Sequence, residues 1–272
     1  MLNTIYNFSV LMPVYKKDNP LWLKEAIESI INQTVKPSQI VLVIDGPIGK
    51  DLEEVISIFI DKLDIFRLKE NSGLGIALKK GLEICKYPLV ARMDSDDISV
   101  SNRFELQLNI FKENPELSIT GGYVQEIDCN TKKNIAIRKV PLSNESIKQY
   151  IKFRSPFNHP SVMFKKNDIL KVNSYQPFYF LEDYYLWIRM VSNNFQMANI
   201  EEILVKMRVN KNLYIRRGGY QYFKSNKMLC KEMLKLGILN YPFYLFNIIV
   251  RFMAQVLMTN KLRKLLYSFF LR

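Results

Sequence analysis

The chain has 272 residues, 48% hydrophobic and 24% charged, an ordinary globular composition long enough for one α/β domain with an appended C-terminal segment. Three scattered cysteines, Cys85, Cys129 and Cys230, fit no metal-ligand pattern and no disulfide framework, which suits a reducing cytoplasm, and Met1–Phe8 reads as no secretory signal. The net charge of +13 is uneven: residues 211–272 carry twelve Lys and Arg against one acid, Glu232, so an anionic partner is implied for the tail alone.

Phe8–Met12 reads as a short buried strand ended by Pro13, so Pro13-Val14-Tyr15 begins a loop at a strand's carboxyl end. Asn19-Pro20 caps a helix whose apolar residues Leu23, Ala26, Ile27, Ile30 and Ile31 recur at helical spacing. A β-branched strand, Ile40–Ile44, runs into Asp45-Gly46-Pro47. After a helix over 51–61 and a strand over 65–68 comes Asn71-Ser72-Gly73-Leu74-Gly75, whose glycines let backbone approach a ligand, followed by a helix over 76–85.

The next strand, from Leu89, leads through Arg92-Met93 into Asp94-Ser95-Asp96-Asp97. Three carboxylates in four residues at a strand end call for a compensating cation, and hard oxygen ligands point to Mg2+ or Mn2+; the plainer alternative is a solvated loop and a helix cap before a helix over 102–114 with Ser101 as cap. Strand and helix alternate throughout this half, which argues a mostly parallel sheet with helices on both faces and ligands at the carboxyl ends. Tyr15, Asp45 and the Asp94–Asp97 cluster then converge on one crevice that fits a nucleotide diphosphate.

The second half is less regular. Strands are expected over 119–127 and 135–140, a helix over 145–153 capped by Asn144, and a loop from Asn158-His159-Pro160 into a strand at Val162–Phe164. The aromatic run Phe178–Leu181 delivers Glu182-Asp183 to a helix over 184–192 with Leu186, Trp187 and Met190 inward. His159 is open to three roles: metal ligand, acceptor contact or satisfied structural histidine.

Taken together, Pro13-Val14-Tyr15, Asp45-Gly46, Asn71-Ser72-Gly73, Asp94-Ser95-Asp96 and Glu182-Asp183, in this order from Phe8 to about Arg217, resemble family 2 glycosyltransferases of the GT-A fold, in particular bacterial O-antigen and capsule enzymes. The resemblance implies a GT-A catalytic domain over 1–210, with its nucleotide-sugar half at 1–100 and its acceptor half at 101–210. It implies donor contacts from Pro13, Val14, Tyr15, Asp45, Asn71, Gly73, Lys79, Arg92, Asp94 and Ser95, a divalent cation on Asp96 and Asp94, and Asp183 as the base of an inverting transfer. Glu182, His159, Arg216 and Arg217 would serve the acceptor or the diphosphate. The implied substrates are a UDP-hexose and a lipid-diphosphate-linked saccharide, used at the inner face of a bacterial plasma membrane. The chain departs from the family's pattern at Ile44, where a first acid is common, at Leu78-Lys79, where an Arg-Asn pair is frequent, and at Asn210, near which many relatives place a histidine.

The tail, 211–272, is read as a basic helical segment on an anionic membrane surface. Residues 241–258 are apolar and aromatic, but Asn247, Arg251 and Gln255 interrupt them four residues apart, which disfavours a spanning helix and suits one lying in the interface. Packing on the domain or a dimer contact is the other option. Two rival functions are weaker. A sugar nucleotidyltransferase would carry a glycine-rich basic loop after its first strand, and Pro13–Asn19 has no glycine. A nucleic-acid-binding protein would interleave stacking aromatics with its bases, whereas the tail's apolar residues form helical runs.

Overall fold

The computed structural model describes residues 7–209 and 218–259. A curled, nine-stranded sheet is built from β1 (Phe8–Val14), β2 (Gln39–Ile44), β3 (Asp64–Arg67), β4 (Leu89–Arg92), β5 (Ile98–Ser99), β6 (Leu117–Asp128), β7 (Asn134–Arg138), β8 (Met163–Lys165) and β9 (Gln196–Val209). Its order is β3-β2-β1-β4-β8-β6-β9-β5, with β7 on the flank of β6. The first four strands are parallel, β8 runs antiparallel between β4 and β6, and β6 and β9 pair in parallel.

Side-chain alternation along β1 divides the core in two. Phe8, Val10, Met12 and Val14 face the layer of α1 (Pro20–Ile31), α2 (Lys50–Ile58) and α4 (Arg103–Glu113). Leu11, with Val41 and Val43 of β2, faces α3 (Leu74–Ile84) and α7 (Glu182–Ser192), beyond which lies a C-terminal helix, Tyr220–Lys235. At Gly81 α3 presses on the sheet so closely that a Cβ would lie 2.3 Å from the Leu11 side chain and 2.5 Å from that of Val43. Each large side chain fully buried in these layers contributes about 1.5–3 kcal/mol, and Trp187, Phe104 and Phe164 are among them.

Three local expectations are corrected. β1 continues through Pro13 because its β4 neighbour pairs only as far as Leu11 opposite Arg92. Pro13 has the parity of Leu11, whose carbonyl accepts from the Met93 N–H on the β4 side, so its missing donor falls where that side has opened. The cap of α5 (Asn144–Tyr150) is Ser143, whose hydroxyl accepts from the Ser146 N–H while the Ser146 hydroxyl accepts from the Ser143 N–H. Asn102, not Ser101, occupies the N-cap of α4, without a side-chain cap bond. The Asn19 cap holds as expected, its side-chain oxygen accepting from Leu21 and Trp22.

Candidate active site at the carboxyl edge of the sheet

A cleft of about 600 Å³ opens where β1, β2 and β4 end. Its wall is formed by Pro13, Val14, Tyr15 and Asp18 from the first loop, Asp45 from the second, Asn71–Ala77 from the third, and Asp94, Ser95 and Asp96 from the fourth. Pro177–Phe180 and Glu182 close the far side. Eight of the expected donor residues thus meet in one place: Pro13, Val14, Tyr15, Asp45, Asn71, Gly73, Asp94 and Ser95. Tyr15 is 38% exposed at the rim.

Asp45 is nearly buried, and its carboxylate is occupied by the glycine turn: Oδ1 accepts from the Ser72 N–H at 2.7 Å, Oδ2 from the Gly73 N–H at 3.0 Å and the Asn71 side-chain amide at 3.1 Å. Three of about four acceptor positions are used, so Asp45 organises the turn and keeps roughly one lone pair for a ligand. The backbone makes room for this. Gly46 has φ +84°, and a Cβ there would stand 2.5 Å from the Asn71 nitrogen. Gly73, with φ +88°, caps α3 and leaves the first amides of that helix at the cleft wall, an anion-binding terminus. Gly75 lets the same turn approach the Gln176 carbonyl, to which a Cβ would come within 2.9 Å, and the Glu182 Cβ at 3.4 Å.

The carboxylate cluster has the hard oxygen donors that a divalent cation takes: oxygen atoms of Asp94, Asp96 and Asp97 lie within 4.8 Å of one another. Asp96 is pushed up to about 7 by burial and by the charges of Asp94 and Asp18, so its ionised form is costly there without a nearby counter-charge. Arg92, 2% exposed, pairs with Asp94 from beneath, leaving Asp96 without an ion pair among the described residues. Asp97 is anchored through one oxygen: its Oδ1 accepts from the Arg208 N–H of β9 at 2.9 Å, its buried Oδ2 has no hydrogen-bond partner among the described residues, and burial holds its carboxyl well above the usual range. Asp96 and Asp94 therefore fit a divalent cation, and Asp97 ties their turn to the sheet.

Some expected residues stand apart. Lys79 lies on the second turn of α3, exposed and away from the cleft wall, because the helix turns that face outward. Arg92 lies under the wall and acts on it through Asp94. His159 is neither a ligand of the carboxylate cluster nor part of the wall: its Nε2 is 3.0 Å from the Tyr175 hydroxyl, its ring packs edge-on against Trp187, and burial together with Arg92 keeps it neutral. Arg216 and Arg217 fall outside the described residues, as does Asn210.

Glu182 and Asp183 open α7 as expected. Glu182 forms part of the wall and is pushed up to about 7 by burial and by the Asp183 charge. Asp183, the next residue of α7, is not among the residues that form the wall. Burial raises its carboxyl, partly offset by the Tyr184 N–H and the Arg92 charge.

Two residues were missed. Asp18 lines the cleft, accepts from the Ser95 hydroxyl at 2.7 Å and the Tyr15 N–H at 3.1 Å, and is pushed up to about 6, chiefly by burial. An acid three residues beyond Tyr15 repeats what β2 and β4 show at their ends, and that parallel was the available signal. Arg208, 7% exposed, donates to the Asp96 carbonyl and pairs with Glu25 of α1. No local pattern marks it, since β9 itself was not expected.

Residues 9–174 match the family described as Glycosyl transferase family 2. Among curated relatives, the chain is 41% identical over 255 residues to a UDP-Gal:alpha-D-GlcNAc-diphosphoundecaprenol beta-1,3-galactosyltransferase of Escherichia coli, covering 93% of this chain and 92% of that protein. It is 37% identical over 263 residues to the amylovoran biosynthesis glycosyltransferase AmsE of Erwinia amylovora, covering 96% and 98%. Among solved structures, S. aureus TarS 1-349 in complex with UDP-GlcNAc superposes with a TM-score of 0.68 at 16% identity over 98% of this chain and 76% of that one, a likeness of fold.

Proposed function

The chain belongs to glycosyl transferase family 2, and from that premise we propose that it moves a hexose from UDP-hexose to a saccharide carried on a lipid diphosphate, with inversion at the anomeric carbon. The carrying observation is the cleft itself: an aromatic rim, a turn organised by Asp45, a helix N-terminus and a carboxylate cluster share one wall, the set of surfaces that a nucleotide diphosphate requires. The substrates named for the Escherichia coli relative, UDP-Gal and a GlcNAc-diphosphoundecaprenol, support the lipid carrier and a galactosyl donor. An acceptor of that kind resides at a bilayer, which supports peripheral association with the inner face of the plasma membrane.

In this reading Tyr15 stacks on the base, and Asp45 spends its remaining lone pair on the uracil N–H or the ribose. The first amides of α3 receive the diphosphate. A divalent cation on Asp96 and Asp94, Mg2+ or Mn2+, would supply charge neutralisation for the departing diphosphate. Asp183 takes the acceptor hydroxyl's proton as that oxygen bonds to C1 and the C1–O bond to phosphate breaks, the electron pair leaving with UDP. Its raised pKa suits the task, because a base that titrates closer to neutrality is a stronger proton acceptor. Glu182, which forms part of the wall, is the second candidate for that role and otherwise holds the acceptor.

The test is nucleotide release from UDP-, GDP- and dTDP-sugars with Mn2+ or Mg2+, with and without a lipid-linked saccharide. Release from one UDP-hexose, abolished by Asp96→Ala, is the expected result. Asp183→Asn should keep donor binding and lose transfer by about 10²–10⁴-fold. Full transfer by Asp183→Asn with none by Glu182→Gln would move the base to Glu182. Absence of metal-dependent binding of any nucleotide sugar would overturn the reading as a whole.

A further inference from the structure

A surface helix normally turns its apolar face inward and its polar face to water. The last described helix, Tyr241–Phe252, with the π-helical turn Met253–Leu257 that continues it, packs Tyr244 and Ile248 on the core but also buries a polar stripe and leaves a broad apolar side outward. Asn247 and Gln255 are 5% and 6% exposed, and Arg251 turns into the protein to donate to the Asn226 side-chain oxygen at 2.5 Å and the Phe153 carbonyl at 2.9 Å. Outward stand Leu245, Phe246, Ile249, Val250, Met253 and Leu257, between 42% and 66% exposed. The arrangement is held by packing: Phe252 meets Phe223 at 5.3 Å and Phe243 meets Phe153 at 6.2 Å between ring centroids.

The charge on the neighbouring helix indicates what covers this face. On the preceding helix Lys224, Lys227, Lys231 and Lys235 are exposed at three- and four-residue spacing and so share one side, and the one acid there, Glu232, is paired with Lys235 at 2.7 Å. Beyond the described residues the sequence adds Lys261, Arg263, Lys264 and Arg272 and no acid. A second copy joined through the same patch would bring two equally basic surfaces together. A bilayer with anionic headgroups offers both an apolar interior and the opposite charge.

We propose that this helix is a membrane-insertion surface, its outward apolar side chains entering the acyl boundary while the lysine row meets anionic headgroups. The unit also borders the cleft: the Ser225 hydroxyl donates to the Tyr179 carbonyl at 2.9 Å, and Tyr179 and Phe180 line the cleft wall, 46% and 47% exposed. Insertion therefore sets the cleft rim at the bilayer surface, where a lipid-diphosphate-linked acceptor presents its sugar. This last step rests on the glycosyl-transfer reading above; the insertion surface does not.

The experiment is flotation of the full chain with phosphatidylcholine vesicles, with and without phosphatidylglycerol. Flotation with the anionic vesicles, weakened by salt, is expected, and Leu245→Ser/Phe246→Ser/Ile249→Ser should bind at least about tenfold less while keeping nucleotide-sugar binding. In parallel, Ile249→Trp should show emission quenched by brominated acyl chains, beyond any quenching in the parent chain with Trp22 and Trp187. A parent chain that does not float, a triple variant that floats equally, or an unquenched Ile249→Trp would overturn the proposal. So would a parent dimer, seen by sedimentation without vesicle binding, that the triple variant dissociates. Vesicle binding without nucleotide-sugar binding would remove the transfer reading and leave this surface standing.

Discussion

Asp45 shows how a single residue's role changes once its neighbours are known. In the sequence it is an acid at a strand end, ready to accept from a base; in the fold most of its acceptor capacity is spent on the Asn71–Gly73 turn. The turn in turn depends on Gly46, whose positive φ and 2.5 Å clearance from the Asn71 nitrogen admit no side chain. Gly46→Ala is expected to cost about 1–3 kcal/mol, read as a lowered midpoint in urea unfolding, with nucleotide affinity falling in step. Asp183 carries a pH prediction. It works as a base only when ionised, and its pKa is raised, so the acid limb of the transfer rate should lie above the ordinary aspartate range, with rate falling as pH falls through it. A pH profile of turnover would show this directly, and a limb at the ordinary value would remove Asp183 from the role.

At the scale of elements, the carboxylate turn after β4 is held from a distance. Arg208 on β9 fixes both Asp96 and Asp97 and reaches Glu25 on α1, so the far strand of the sheet sets the position of the cation ligands. Arg208→Ala should destabilise the fold by about 2 kcal/mol through its lost charged hydrogen bonds and should weaken Mn2+ affinity more than it weakens UDP affinity. Calorimetric titration of each ligand separates the two effects. The strands of the first half were legible because each is a short β-branched or apolar run that ends in a turn residue. β9 was not, since its exposed and buried residues alternate irregularly across three register shifts against β6. The short helix α6 (Lys166–Lys171) escaped notice for a related reason: six residues are too few for a period to show.

Across the whole molecule, the acids of the cleft carry a stability cost. Asp18 at about 6, and Asp96 and Glu182 at about 7, all hold protons more tightly folded than unfolded. The native state therefore binds more protons between about pH 4 and 7, and stability contributed at acid pH is lost as pH rises through that window. A divalent cation on Asp96 would reverse the loss. The melting temperature without metal should fall from pH 5 to 7.5, and added Mn2+ should raise it more at pH 7.5 than at pH 5, as differential scanning calorimetry would report. A metal increment independent of pH would argue against the Asp96 site.

Sequence by itself determined the parallel half of the sheet, the order of motifs along it and the chemistry at each strand end, because strand periodicity, cap residues and glycine turns are local properties. It also determined that residues 241–258 form an amphipathic helix. Only the tertiary structure decided that His159 belongs to a packed Tyr175 and Trp187 cluster, that Lys79 faces water, that Asp18 joins the cleft and that Arg208 braces it. It decided too that the polar stripe of Asn247, Arg251 and Gln255 points inward. The reason is the same in each case: which face of an element is covered depends on partners far away in the chain, and those partners leave no mark in the local pattern.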